Sequence, residues 1–146
     1  MRGRVLICPG SRHLKVKRLP LGNVALLSDE PRIRGHRPSA DVLFRSAAEE
    51  FGAQNVSVIM TGMGDDGAEG LGTVRAAGGM TIAQSEDSCV VYGMPKAAIE
   101  RGYAVRIVGL EAMASTLVSL CAAETGKNSK EARNGASGKG ATAGQN

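Results

Sequence analysis

The spacing of apolar positions changes along the chain. Over residues 4–30 the apolar residues fall in short runs and alternations. "RVLICPG" is an apolar run stopped by Pro9-Gly10, and "HLKVKRL" alternates. Pro20 and Gly22-Asn23 supply a turn, and "NVALLSDE" follows. Alternation bounded by turn residues predicts antiparallel strands. The loop "PRIRGHRP" comes next, and then the period lengthens. Ala40, Leu43, Phe44, Ala47, Ala48 and Phe51 recur at helical spacing. Ser39 is placed as the N-cap, Asp41 lies in the first turn, and Gly52 is placed to end the helix. Beyond residue 55, "VSVIM", "MTIAQ" and "YAVRIVG" are compact apolar runs that read as buried strands. Between them lie the helical stretches "AEGLGTVRAAGG" and "PKAAIERG", with Pro95 at the first position of the second. "LEAMASTLVSLCAAE" is the last helix, with Leu110, Met113, Leu117, Leu120 and Cys121 forming one face.

Strands alternating with helices predict an α/β domain: a parallel sheet flanked by helices, with an N-terminal antiparallel hairpin. Sites in such sheets form at the carboxyl ends of the strands. From Glu124 the large apolar residues cease and the sequence becomes Gly, Ala, Ser and Lys. That composition cannot bury enough apolar surface to offset its ordering entropy. Residues 1–123 are therefore expected to form the domain and 124–146 a disordered low-complexity tail.

Composition narrows the chemistry. Of the 146 residues, 42% are hydrophobic but only 3% aromatic, with no Trp, so the core is aliphatic. The net charge of +4 raises the question of nucleic acid. The excess sits partly in the tail, at Lys127, Lys130, Arg133 and Lys139. Another part lies along apparent strands, at Arg2, Arg4, Arg12, Lys15, Lys17 and Arg18. No aromatic residues interleave with these charges to stack on bases, so a nucleic-acid partner is not expected. Cys8, Cys89 and Cys121 are too scattered for a disulfide framework or a zinc site. No signal peptide and no apolar run of membrane-spanning length occurs, which reads as a cytoplasmic protein without direct membrane insertion.

The stretch "VSVIMTGMGDDGAEGL" carries the most chemistry. Gly62-x-Gly64-x-x-Gly67 stands between a strand and a helix, and Glu86 follows about 20 residues on, as in a dinucleotide-binding turn. Asp65 and Asp66 oppose that reading. Two like charges about 4 Å apart repel by about 4 kcal/mol at an effective dielectric near 20. A helix N-terminus returns only about 0.3–1 kcal/mol. The same turn suits a carboxylate held by backbone N–H groups, either as a helix cap or as the residue that orients a histidine in a Ser-His-Asp triad.

The words "CPGSRHLKV", "HRPSADVLF", "VIMTGMGDDGAEGL" and "TIAQSEDSCVVYGMPKAAIERG" stand in collinear order from about Val5 to Val108. Together they resemble the catalytic domain of chemotaxis-type protein-glutamate methylesterases. The resemblance implies hydrolysis of glutamate methyl esters on the cytoplasmic domain of methylated chemoreceptors, with glutamine deamidation in some members, and no cofactor or metal. It implies that Asp66 is the triad carboxylate, that Asp65 is a variable neighbour, and that Met63 gives a backbone N–H to the oxyanion hole.

The family's nucleophile turn, "G-x-S-x-G-G", and its base segment, resembling "Q-H-M-P", do not occur in these residues. The chain therefore reads as the C-terminal portion of the domain, lacking the Ser and His and inactive alone. The alternatives are a non-catalytic remnant that binds receptor or partner, and a nucleotide-binding domain. Ser11 with His13, and Ser39 with His36, are not expected to form a replacement triad. His13 reads as a hairpin-turn residue, His36 as loop structure and Ser39 as a cap. An incomplete sheet would leave an edge uncovered, so the isolated chain is expected to be marginal, aggregation-prone or self-associated through that edge.

Overall fold

The computed structural model describes the backbone of residues 3–135 and side chains as far as residue 122. The first elements are β1 (His13–Leu19) and β2 (Gly22–Ser28), an antiparallel pair in which Val16 lies opposite Ala25. Helix α1 (Ala40–Phe51) follows. Then β3 (Val56–Ile59), α2 (Ala68–Ala76), β4 (Met80–Gln84), α3 (Met94–Glu100) and β5 (Arg106–Val108) alternate. The three later strands form a parallel sheet in the order β3-β4-β5. The expected architecture, a parallel sheet flanked by helices with an N-terminal hairpin, is the one observed.

The chain divides into two compact units, Met1–Leu110 and Glu111–Asn146. The second is helical: α4 is a helix over Leu110–Gly135. Its backbone extends past residue 123, where the tail was expected to begin. Residues 136–146 of that expected tail lie outside the described residues.

Packing in the first unit runs as a relay. The hairpin lies on α1 and α1 lies on α2, while α2 and α3 cover the sheet. Ile59, Ala68, Leu71, Ala83 and Ala98 form the buried core, with Phe44 and Met94 against it. Small residues let the helices come close. A Cβ on Gly70 of α2 would lie 2.9 Å from the Cα of Asp41 and 2.9 Å from the Cβ of Phe44. Full burial of side chains such as Ile59 and Leu71 stabilises by about 1.5–3 kcal/mol each.

Two sequence expectations change. "RVLICPG" forms no strand: Val5, Leu6 and Ile7 are exposed, because no strand among the described residues lies alongside to pair with them. Helix α1 also buries more than its apolar stripe. Asp41 and Ser46 are buried on it beside Val42 and Ala48. Ser46 Oγ accepts the Val16 N–H at 3.1 Å, and Glu50 Oε2 accepts the Arg18 N–H at 3.0 Å. The helix thereby satisfies the outer edge of β1.

Replacing Gly70 by Ala should cost about 1–3 kcal/mol through overpacking at the α1–α2 contact. The change removes a helical glycine that itself costs about 1 kcal/mol, so the net loss is the informative quantity. Urea denaturation reads it, and a midpoint equal to or above wild type would show that the contact yields freely.

Candidate active site

The loop from Thr61 to Gly67 leaves the carboxyl end of β3 and enters α2. Its glycines serve geometry. Gly64 and Gly67 hold φ of 86° and 88°, the left-handed region that side chains avoid. Gly62 and Gly93 permit a backbone contact: a Cβ on Gly93 would lie 2.7 Å from Gly62 O, and a Cβ on Gly62 would run into the Met94 side chain. Across that contact the Gly62 N–H donates to Val91 O at 3.0 Å. Gly62 O accepts from the N–H groups of Gly93 at 3.1 Å and Met94 at 2.9 Å.

A buried glutamine secures the start of the loop. Gln84, at the end of β4, accepts the Thr61 N–H on Oε1 at 2.9 Å and donates from Nε2 to Ser88 O at 2.7 Å. Thr61 Oγ1 accepts the Val91 N–H at 2.8 Å. The turns after β3 and β4 are thus one hydrogen-bonded unit. Sequence reasoning passed over Gln84. Its signal was a polar residue closing the apolar run "MTIAQ", a position that burial makes costly unless the amide is paired.

Met63 stands at the crest of this loop and is 84% exposed. Among the described residues, nothing accepts its backbone N–H. That N–H is therefore a free donor at the carboxyl edge of the sheet, the property an oxyanion site needs.

Asp66 caps a helix, but not the one that follows it. Its Oδ1 accepts from Ser39 Oγ at 2.6 Å and from the Asp41 N–H at 3.3 Å, and its Oδ2 accepts from the Ala40 N–H at 2.7 Å. These are the first amides of α1. Ser39 is the N-cap residue as expected, yet its hydroxyl makes no capping bond and serves Asp66 instead. Asp41 returns the arrangement. Fully buried on α1, it accepts the Gly70 N–H of α2 on Oδ1 at 2.6 Å. Each helix thus has a first-turn amide satisfied by an aspartate from the other's side. A carboxylate offers about four acceptor sites; the contacts of Asp66 fill three and leave one on Oδ2.

Neither histidine uses that remaining site. His13 is buried, with Nε2 3.0 Å from Pro31 O, and His36 is exposed, its backbone paired with Ile33. The structure brings neither to Asp66 nor to a serine. Cys89 is no substitute nucleophile. Burial, then the nearby Asp87 and Glu86 charges, push its thiol pKa up and disfavour the reactive thiolate.

Asp65 has a defined part. Its Oδ2 receives Arg34 Nη1 at 2.9 Å and Arg101 Nη2 at 3.0 Å, while Arg101 Nη1 lies 3.2 Å from Glu69 Oε1. The loop is thereby tied to the segment before α1 and to the end of α3. Arg34 reaches it from a tight turn in which Arg34 and Gly35 both have positive φ, 48° and 86°, a geometry that favours glycine or asparagine at its first position. The hydrogen bond from Arg101 is the largest cause holding the Asp65 carboxyl below its usual range.

The two aspartate caps should be energetically coupled. Asp66→Ala and Asp41→Ala are each expected to lose about 1–2 kcal/mol in denaturant unfolding. The double variant should lose at least about 0.5 kcal/mol less than the sum; strict additivity would refute the reciprocal arrangement. Asp65 sets a pH dependence. Its folded pKa lies below the unfolded value, so its stabilisation is present at neutral pH and disappears as pH falls through the folded pKa. The stability difference between wild type and Asp65→Asn should therefore close in acid. Since the side chain is 43% exposed, the difference should also shrink in high salt. A gap that persists under both conditions would remove the ion pairs as its cause.

Among the described residues no helix is long and apolar enough to cross a membrane. Comparison with known proteins gives a consistent result. Residues 1–117 match the family model described as CheB methylesterase. Over 124 residues the chain is 59% identical to protein-glutamate methylesterase/protein-glutamine glutaminase 2 of Koribacter versatilis, covering 85% of this chain and 34% of that protein. It is 52% identical over 121 residues to protein-glutamate methylesterase/protein-glutamine glutaminase 3 of Geobacter metallireducens, covering 83% and 34%. The crystal structure of the Thermotoga maritima CheB methylesterase catalytic domain superposes with a TM-score of 0.75 at 37% identity, over 77% of this chain and 59% of that one. The chain thus spans about a third of the length of these curated relatives. The chain belongs to the CheB methylesterase family.

Proposed function

We propose that these residues supply the carboxylate and oxyanion-loop portion of a protein-glutamate methylesterase site, acting in the cytoplasm on methylated chemoreceptors. The supporting observation is the pairing of two features in one glycine-built turn. Asp66 is held by three donors with an acceptor site left on Oδ2, and Met63 offers an unengaged N–H. Held in this way, Asp66 would take the N–H of a histidine and stabilise the imidazolium that forms as a serine attacks the ester. The Met63 N–H would meet the charge developing on the ester oxygen. Methanol leaves as the acyl-enzyme forms, taking its proton from the histidine, and water then hydrolyses the acyl-enzyme to glutamate and free serine.

The serine and histidine are proposed to come from outside these 146 residues, since neither "G-x-S-x-G-G" nor "Q-H-M-P" occurs among them. A second reading, a module that binds receptor or partner without catalysis, is favoured by one observation: every bond made by Asp66 also serves folding. Methanol release from methylated receptor separates the two. The 146-residue chain alone is expected to release none above background. A polypeptide joining these residues to the serine and histidine segments should turn over, with Asp66→Asn lowering kcat by about 10⁴-fold. Full turnover by the chain alone would sink the incomplete-site proposal. An active joined form indifferent to Asp66→Asn would sink the role of that carboxylate.

A further inference from the structure

The peptide unit that carries the Met63 N–H is gripped at its other end. Gly62 C=O and Met63 N–H belong to one unit, and that unit is trans. In a planar trans peptide the carbonyl and the N–H point in opposite directions. Whatever fixes the Gly62 carbonyl therefore aims the Met63 N–H. Two donors fix it: the Gly93 N–H at 3.1 Å and the Met94 N–H at 2.9 Å. Both lie at the entry to α3, so the carbonyl faces that entry and the Met63 N–H is turned away from it. Gly93 is matched to this contact rather than to its own backbone. Its φ is −107°, on the side of the map that side chains occupy, so its conformation does not demand glycine. A Cβ there would lie 2.7 Å from Gly62 O, 3.0 Å from Gly64 N and 3.2 Å from Gly64 O. All three atoms belong to the residues on either side of Met63. The loop has little freedom to retreat, because Gln84 holds the Thr61 N–H and Val91 O holds the Gly62 N–H.

We infer that Gly93 is a positioning residue for the oxyanion donor: together with the Met94 N–H it keeps the Met63 N–H turned outward and strengthens it, a role that rests on the oxyanion function proposed above for that N–H. Aim comes from planarity. Strength comes from polarisation: a carbonyl that accepts two hydrogen bonds draws electron density from its own nitrogen and makes the N–H on that nitrogen a better donor. Both effects are in place before substrate arrives, so neither requires reorganisation as charge develops on the ester oxygen. Gly93 touches no reacting atom in this scheme. It acts through the peptide unit of Met63, and the absence of its side chain is what lets that unit lie where two N–H groups can hold it.

The polypeptide joining these residues to the serine and histidine segments reads the effect as methanol release. Gly93→Ala should lower kcat by about 10²-fold and leave KM within about twofold of wild type. Gly72→Ala is the matched control. Its Cβ would also lie 2.9 Å from its neighbour, but the atoms it meets all belong to the Tyr103 ring, so it should alter stability and leave kcat and KM unchanged. Replacing Met94 by its α-hydroxy acid turns the Gly93–Met94 amide into an ester, which removes one clamping N–H without adding bulk. That change should lower kcat by about three- to tenfold, and it carries the test by itself if Gly93→Ala does not fold. In the 146-residue chain the same ester should move the nitrogen resonance of the Met63 amide upfield. A Gly93→Ala form with wild-type kcat, a loss carried in KM, a loss matched by Gly72→Ala, an ester form with undiminished kcat, or an unmoved Met63 resonance would each overturn the positioning role. An inactive wild-type joined form would instead remove the oxyanion function itself, and the positioning role with it.

Discussion

The reciprocal contact between two aspartates and two helix N-termini joins the halves of the first unit. Asp66, in the loop after β3, closes the first amides of α1; Asp41, in the first turn of α1, closes an amide of α2. Each helix start carries unsatisfied N–H groups and the positive end of a dipole. Each aspartate meets both needs of a helix it does not belong to. The sequence separations run from 25 to 29 residues, so this is tertiary structure performing what is normally a local task. The hairpin rides on α1, and its position relative to the sheet therefore depends on these bonds together with the close packing of α1 on α2. Among the described residues, Oδ2 of Asp41 is buried without a hydrogen-bond partner.

The geometry of the candidate site follows from that contact. A carboxylate anchored to α1 from within the Thr61–Gly67 loop fixes the far end of the loop, and Gln84 fixes its start. Between two anchored ends, left-handed glycines turn the chain so that the Met63 N–H stays unengaged. A donor held out in this way is organised before any substrate arrives, which is the condition under which such a group contributes most to a developing charge. The ion pairs of Asp65 add a third tether. At half-exposed positions such pairs contribute little to stability, so their consequence is orientation of the loop.

The sequence carried the parallel sheet, its helices and the hairpin, because each rests on a local period that burial enforces. It carried the glycine turn because positive φ and close backbone approach leave glycine as the favoured choice. It was less informative wherever the partner lies far along the chain. "RVLICPG" has the composition of a strand, but a strand exists only beside another, and pattern cannot supply the neighbour. Ser39 was legible as the residue at the start of α1, but not as a donor to Asp66, since capping preference describes a side chain and its own helix. Spacing alone left Asp65 and Asp66 interchangeable, and only the family resemblance gave them different roles. What separates them is that one faces two guanidinium groups and the other faces a helix start.

That separation also bears on how structure and chemistry share Asp66. A residue dedicated to capping would gain from having all its acceptor sites filled by the helix. One dedicated to orienting a histidine would gain from leaving both oxygens open. Asp66 does neither: three donors hold it in one orientation and one site on Oδ2 remains. The capping bonds restrict the carboxylate to a single rotamer, so a histidine arriving at the free site would meet an acceptor already aimed. Under the proposed function, folding and catalysis would draw on the same interaction. A substitution at Asp66 would disturb both together, whereas one at Ser39 would remove a single donor and leave the two amides to hold the group in place.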